Sequence, residues 1–412
     1  MSNRNPPKTK NECQQGYQYM QQSIKISDDC QEQFHPQICL RKNFGLFENE
    51  LKRKKAAGDL AVVYGWSRKL AGRAWKVRKC GDLTVFSLVR GGVRRLMAAN
   101  FCCERLCPLC MHRRSVRVFE QMTRVLNWLD GQAAKVGRTR YRYLLLTLTV
   151  KNCEGEALKD SIDHLMHSWN KFNQRKPFKK AVKGYFRAFE VTRNDKTGEY
   201  HPHFHLLLAV NPSYFKGDGY IKQSEWVRLW REAAKLDYDP IVDIRPIKEN
   251  KRFGEVAEVT KYTVKSKDYI HPDLEKSVPI VETLHGALFG RRLYFFGGVF
   301  AEARKALKLE DPEKNLTDGE EVKLRQECIV ALEYFRFDHG LDDWVLKKTV
   351  LTPDGVNGRD ISLKAMADMA LEDVKAGGSM KKYENIVQAM RPAALDAFAN
   401  AVVEDENGEV QE

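Results

Sequence analysis

The chain has 412 residues, enough for two or three domains of about 100–200 residues each. Apolar residues make up 43% and charged residues 30%, a balance that builds folded cores and excludes a wholly disordered chain. Lys and Arg outnumber Asp and Glu by 69 to 55, so the net charge of +14 points to a polyanionic partner; no apolar run of about 20 residues is present to make a membrane-spanning helix.

Residues 1–45 are polar and read as weakly ordered or irregular, with Cys13, Cys30 and Cys39 scattered as ordinary thiols. The opening SNRNPPKTKNE has no apolar signal region, so a reducing, cytoplasmic location is expected. Residues 46–80 interleave basic side chains with Trp66 and Trp75. That pattern suits either a nucleic-acid-facing surface or a solvated helix face with two buried tryptophans.

Four of the ten cysteines lie within nine residues, in FCCERLCPLC, and Cys80 precedes them. In a reducing compartment such clustering reads as metal binding before disulfides. Cys80, Cys102, Cys107 and Cys110 form the expected structural Zn²⁺ set, because closely spaced thiolates build a closed tetrahedral site. Cys103 directly follows Cys102, and both do not easily serve one ion; His112 is an alternative fourth ligand. Val116, Phe119, Leu126 and Leu129 then recur at helical spacing, predicting a basic amphipathic helix.

Residues 141–270 predict the order β-α-β-β-α-β-α. YRYLLLTLTV is a strand, EALKDSIDHLMHSWNKF a helix, and GYFRAFEVTR and YHPHFHLLLAV two strands joined through the turn NDKTGE. Trp226, Leu229, Trp230 and Ala233 fall on one helix face, IVDIRPIK is a fourth strand, and EVAEVTKYTVKSK is read as a helix. The expected class is α+β, with a central antiparallel sheet and helices on one face.

The sharpest feature is HPHFHLLL. In a strand, His203 and His205 share one face while Phe204, Leu206 and Leu208 anchor the other. Glu190, on the partner strand, completes a set of two imidazoles and a carboxylate. Such a set with open positions suits Mn²⁺ or Mg²⁺ as a Lewis acid. Downstream, a helical reading places Glu258 and Tyr262 at i, i+4 and Tyr262 and Lys265 at i, i+3. A nearby cation or metal would help that phenol ionise.

Taken in order, LLLTLTV, FEVT, HPHFHLLL and EVTKYTVK resemble the motifs of the HUH endonucleases, and within them the rolling-circle plasmid replication initiators of the Rep_1-like family. FCCERLCPLCMHRR resembles the cysteine element before that family's catalytic domain, and RRLYFFGGVFAEARKAL its C-terminal segment. The resemblance covers roughly residues 75–310. It implies that His203, His205 and Glu190 hold the metal and that Tyr262 attacks a phosphodiester of single-stranded or hairpin origin DNA. The attack leaves a 5′-phosphotyrosine and a free 3′-hydroxyl. Lys265 would position the phosphate or metal, and Glu258 has the spacing of a carboxylate that activates water to end replication, strand transfer being the alternative ending. Arg105, Arg113, Arg114, Arg117 and Lys261 are DNA-contact candidates, or simply solvated charge. A host helicase, single-strand-binding protein and DNA polymerase are implied partners, with no membrane.

The expected division is a variable region 1–75, a cysteine-rich zinc and DNA-binding element 76–138, an HUH nicking domain 139–275, and a mostly helical region 276–412 with an acidic tail. Two other functions fit the sequence: an HUH relaxase or single-tyrosine transposase, and a non-catalytic zinc-dependent DNA-binding regulator.

Overall fold

Alternating apolar residues joined by turn chemistry give residues 182–210 a long hairpin, around which a five-stranded antiparallel sheet is assembled. In the computed structural model, residues 48–89, 93–216, 219–261, 263–318 and 329–351 are described. They fall into two units. Of the described residues, one comprises those in 48–52, 79–102 and 317–351, the other those in 53–78 and 103–316. In chain order the elements begin with α1 (Glu48–Trp66), α2 (Ala71–Arg78), β1 (Leu83–Val89), β2 (Arg94–Ala99), α3 (Pro108–Lys135), β3 (Arg142–Thr149), α4 (Leu158–Phe172) and α5 (Lys176–Ala181). They continue with β4 (Val182–Arg193), β5 (Tyr200–Val210), α6 (Gln223–Ala234), β6 (Val242–Pro246), α7 (Arg252–Val259), α8 (Ser277–Leu288), β7 (Tyr294–Gly298), α9 (Val299–Ala306), β8 (Ile329–Asp338) and β9 (Asp343–Leu351).

The larger unit holds the five-stranded sheet, in the order β6-β3-β5-β4-β7. β5 is central, and its register sets Glu190 opposite His203, and Thr147 and Ala188 opposite His205. The β4–β5 turn is closed by Asn194, whose side-chain oxygen accepts from the Lys196 and Thr197 amides, and by Gly198 at φ +79°. On the face carrying Phe204, α4 packs Trp169 against Phe204 and Tyr185, with ring centroids 6.2 and 4.9 Å apart. On the face carrying the histidines, α9 stacks Phe300 on Tyr143. Helices therefore cover both faces, correcting the expectation of one. This is why Leu144–Leu146 and Leu206–Leu208 are continuous apolar runs, since neither side of those strands meets water.

The smaller unit carries a second antiparallel sheet, in the order β2-β1-β8-β9. Leu51, Phe86, Leu96, Phe335, Phe337 and Trp344 form its core, and a bidentate Arg94–Glu333 pair at 2.7 and 3.0 Å ties β2 to β8 across β1. None of these four strands was anticipated. The expectation of a mostly helical region from 276 onward is corrected in its described part, where β7, β8 and β9 lie.

Two further corrections concern helices. The reading of EVAEVTKYTVKSK as one helix fails after α7, which ends at Val259. Thr260 turns its hydroxyl back onto the Val256 and Ala257 carbonyls, and the β-branched residues that follow leave the helix. In α3, the buried face is Met111, Val118, Met122, Val125, Leu126 and Leu129, so Val116 and Phe119 are off its centre. The buried-tryptophan reading of Trp66 and Trp75 is also overturned, since they are 51% and 60% exposed.

Candidate metal centre and DNA-processing site

The β4–β5 hairpin positions all three members of the histidine site. Glu190 Oε2 lies 3.1 Å from His205 Nε2 and 3.7 Å from His203 Nε2, and the two imidazole Nε2 atoms are 3.1 Å apart. Adjacent corners of an octahedron with metal–ligand bonds of about 2.1 Å are about 3.0 Å apart, so the donor atoms fit one face of a six-coordinate ion. The outward-facing nitrogens are also freed for that role. His203 Nδ1 bonds the His201 carbonyl at 2.9 Å, and His205 Nδ1 meets the Thr147 hydroxyl at 3.2 Å. A partner on Nδ1 fixes the ring and leaves Nε2 as the ligand atom. Burial works to raise the Glu190 pKa, but hydrogen bonds from His203 and His205 outweigh it and hold the carboxyl at about 2. The site is buried at His203 and partly open to solvent at His205. The third histidine, His201, turns to Asn152 at 2.8 Å and stays outside the cluster.

Tyr262 lies outside the described residues. Its chain neighbours are firmly held. Where β7 stops pairing with β4, the Thr263 carbonyl takes over the edge and accepts from the Val191 amide at 2.8 Å, one residue from Glu190. Ser115 of α3 donates to the Thr260 carbonyl at 2.7 Å, and Tyr294 of β7 to the Lys261 carbonyl at 3.2 Å. Glu258, on the exposed side of α7, pairs with Lys261. Lys265 is exposed and begins a short 3-10 turn, Ser266–Asp268. Asp268 was missed in the sequence. Burial raises its pKa, Lys265 and Lys267 oppose that, and Glu190 is among the charges it feels. Thr147 was also missed, although its parity in LLLTLTV places it on the histidine side.

Cys80, Cys102, Cys107 and Cys110 are all buried, and their sulfur atoms lie within 4.8 Å of one another. A tetrahedron with Zn–S bonds of about 2.3 Å has edges of about 3.8 Å, so four thiols at this separation fit a closed zinc site. The Cys102 amide points at the Cys80 sulfur at 3.4 Å, an arrangement that stabilises a thiolate. Cys107 caps α3 ahead of Pro108, which places Cys110 in the first turn. Cys103 is exposed, at φ +57°, and is not in the cluster; neither is His112.

The arginines near this cluster are largely spent inside the protein. Arg114 and Arg117 are 2% and 1% exposed. Arg114 donates to the Cys103 and Glu104 carbonyls and Arg117 to Glu120. Arg105 holds Glu313 and the Arg291 carbonyl, and Arg113 the Leu316 carbonyl. For Arg114 and Arg117 this corrects the expectation of DNA contact, because guanidiniums buried to this extent, one on carbonyls and the other on Glu120, present no open face to a phosphate.

Comparison with known proteins follows the same line. A family model described as replication protein, Rep_1, matches residues 93–340. Among similar proteins, "Protein rep" of Lentilactobacillus hilgardii is 38% identical over 281 residues, covering 66% of this chain and 88% of its own. "Protein rep" of Lactiplantibacillus plantarum is 40% identical over 250 residues, covering 58% and 77%. "Protein rep" of Streptococcus pneumoniae is 38% identical over 284 residues, covering 67% and 85%. No solved structure matches the chain. With both candidate metal-binding clusters falling within or beside the matched stretch, the chain belongs to the Rep_1 family of replication proteins.

Proposed function

We propose that this protein initiates rolling-circle replication of a plasmid by nicking single-stranded origin DNA at an HUH site. The observation that carries the reading is the convergence of Glu190, His203 and His205 beside the backbone that holds Thr263 on β4. In this reading Tyr262 Oη attacks phosphorus, the bond to the 3′ oxygen breaks, and that oxygen leaves as a hydroxyl once protonated. The protein keeps the 5′ phosphate as a phosphotyrosine. Glu190, His203 and His205 would hold a divalent ion, which when bound would supply Lewis-acid charge neutralisation at the phosphate. Lys261 and Lys265 flank the nucleophile and hold the strand. Glu258 is the candidate for activating water in the closing step, with strand transfer as the other ending. The four thiolates take a structural Zn²⁺. A helicase, a single-strand-binding protein and a polymerase of the host then extend the 3′ end in the cytoplasm.

The test is a covalent-adduct assay on the plasmid's own origin strand with Mn²⁺. Wild type should give a slow-migrating species on a denaturing gel that disappears with chelator, with Tyr262→Phe and with His203→Ala. DNA binding by wild type without any adduct on the cognate strand overturns the nicking reading and favours a zinc-dependent binding protein.

A further inference from the structure

The face of the sheet opposite the histidines carries a second arrangement that nicking does not use. A cavity of about 270 Å³ is lined by Trp169 and Asn170 of α4, Tyr185 and Arg187 of β4, and Arg292 and Phe295 beside and within β7. Arg187 is the unusual member. It is 7% exposed, its side chain makes no hydrogen bond or ion pair among the described residues, and its Nε is left without a partner. Its guanidinium instead sits 4.6 Å from the Phe204 ring centroid and about 6 Å from those of Trp169 and Phe295.

The neighbouring cations are already neutralised. Arg291 pairs with Asp163, Arg292 with Asp311 at 2.8 Å, and Arg105 with Glu313. Among the described residues no carboxylate forms an ion pair with Arg187, although the Glu313 charge acts on it from a distance, and leaving a charge buried and unpaired is costly. Burial draws its pKa down to about 10, which still keeps it cationic at neutral pH. The cavity therefore offers an anion site walled by aromatic rings. Tyr185 and Phe295 stack at 6.0 Å and 20°, and Phe295 is 38% exposed at the mouth. Gly297 makes this possible, because a Cβ there would lie 2.3 Å from the Tyr185 ring.

We infer that this cavity binds a nucleotide of single-stranded DNA, its phosphate on Arg187 and its base against the aromatic wall. The chemistry is that of strand-tracking sites, where stacking and guanidinium contacts act together. The volume is close to the lower end of the usual small-ligand range of about 300–1,000 Å³, which suits one nucleotide rather than several. The choice of a strand over a free mononucleotide rests on the proposed function; the nucleotide chemistry itself does not. A strand engaged here and at the histidine face would wrap an edge of the sheet.

The test uses the full chain and a mixed-sequence oligonucleotide lacking the origin, with 5-iododeoxyuridine for photocross-linking. Cross-links are expected at Trp169, Tyr185 or Phe295. Arg187→Met should weaken binding about tenfold, the size of one stacked or charge-assisted contact, and should lower the log–log salt slope by about 0.7. Asn170→Trp, a substitution on the exposed rim, should reproduce the loss in affinity with an unchanged melting temperature, which guards against misfolding of the Arg187 variant. A parallel titration with dAMP separates the sources. Arg187-dependent binding of dAMP without strand cross-links there supports the site with a free nucleotide as occupant. Cross-links confined to the histidine face, with strand and dAMP binding unaltered in both variants, overturn the inference. Adduct formation on origin DNA persisting in that case leaves the nicking reading intact.

Discussion

Thr147 contributes a single hydroxyl, yet it reaches the site from a third strand and meets the inner nitrogen of His205. Removing that contact without changing shape, as in Thr147→Val, should lower Mn²⁺ affinity about 10–100-fold while His203 and Glu190 remain in place, measured by calorimetry. An unchanged affinity would mean that β-sheet packing alone orients the ring. Residue identity discriminates as sharply in the thiol cluster. Cys107→Ser should abolish the thiolate-to-metal charge-transfer band of the Co²⁺-loaded protein, while Cys103→Ser should leave it intact. The convergence of Glu190, His203 and His205 was legible because strand parity and one hairpin turn fix their facing. The arginines of α3 were not, because sequence shows their charge but not that Arg114 turns inward onto carbonyls and that Arg117 is buried against Glu120.

Elements meet this site through short anchors. Ser115 ties α3 to the Thr260 carbonyl, two residues before the proposed nucleophile. Ser115→Ala should slow adduct formation about tenfold or more with origin binding unchanged, as expected when a reacting group loses its positioning. At the other edge, β7 passes into α9 through Gly298, at φ +57°, where a Cβ would lie 2.2 Å from the Lys183 carbonyl oxygen. Gly298→Ala should cost about 2–4 kcal/mol in chemical denaturation. α2 is secured differently. Glu104 is 5% exposed and receives Arg73 at 2.7 Å and Lys76, with His285 at 3.4 Å. Burial would raise its pKa, but those partners hold it at about 2. The strands and the two longer helices from 142 to 246 were legible because their periodicities differ and turn residues separate them, whereas the short α5 was not. β1, β2, β8 and β9 escaped notice because the β1–β8 pairing that joins the two local strand pairs is distant in sequence, and their apolar residues pack into a core assembled only in three dimensions. α7 was overextended because helical spacing continues past the point where Thr260 caps it.

For the whole molecule, the +14 charge should make strand binding strongly salt-dependent. Affinity for single-stranded DNA, followed by fluorescence anisotropy, should fall about tenfold or more between about 50 and 200 mM salt, as three or more phosphate contacts require. A flat response would separate the charge from DNA binding. Charge gave the class of partner but not where it docks, since several arginines that contribute to it serve internal carbonyls and carboxylates. The order in which the smaller sheet acquires its strands has a consequence for synthesis. β1 and β2 leave the ribosome as a pair, but β8, which covers the other edge of β1, is encoded about 230 residues later. At about 5–20 residues per second, that edge and the apolar side chain of Phe86 wait about 10–50 s for their partner. During this interval the nascent chain carries an open strand edge of the kind that recruits other chains. A message cut short after the codon for residue 318 would encode Glu190, His203 and His205 complete, and yet release a product whose β1 never finds β8.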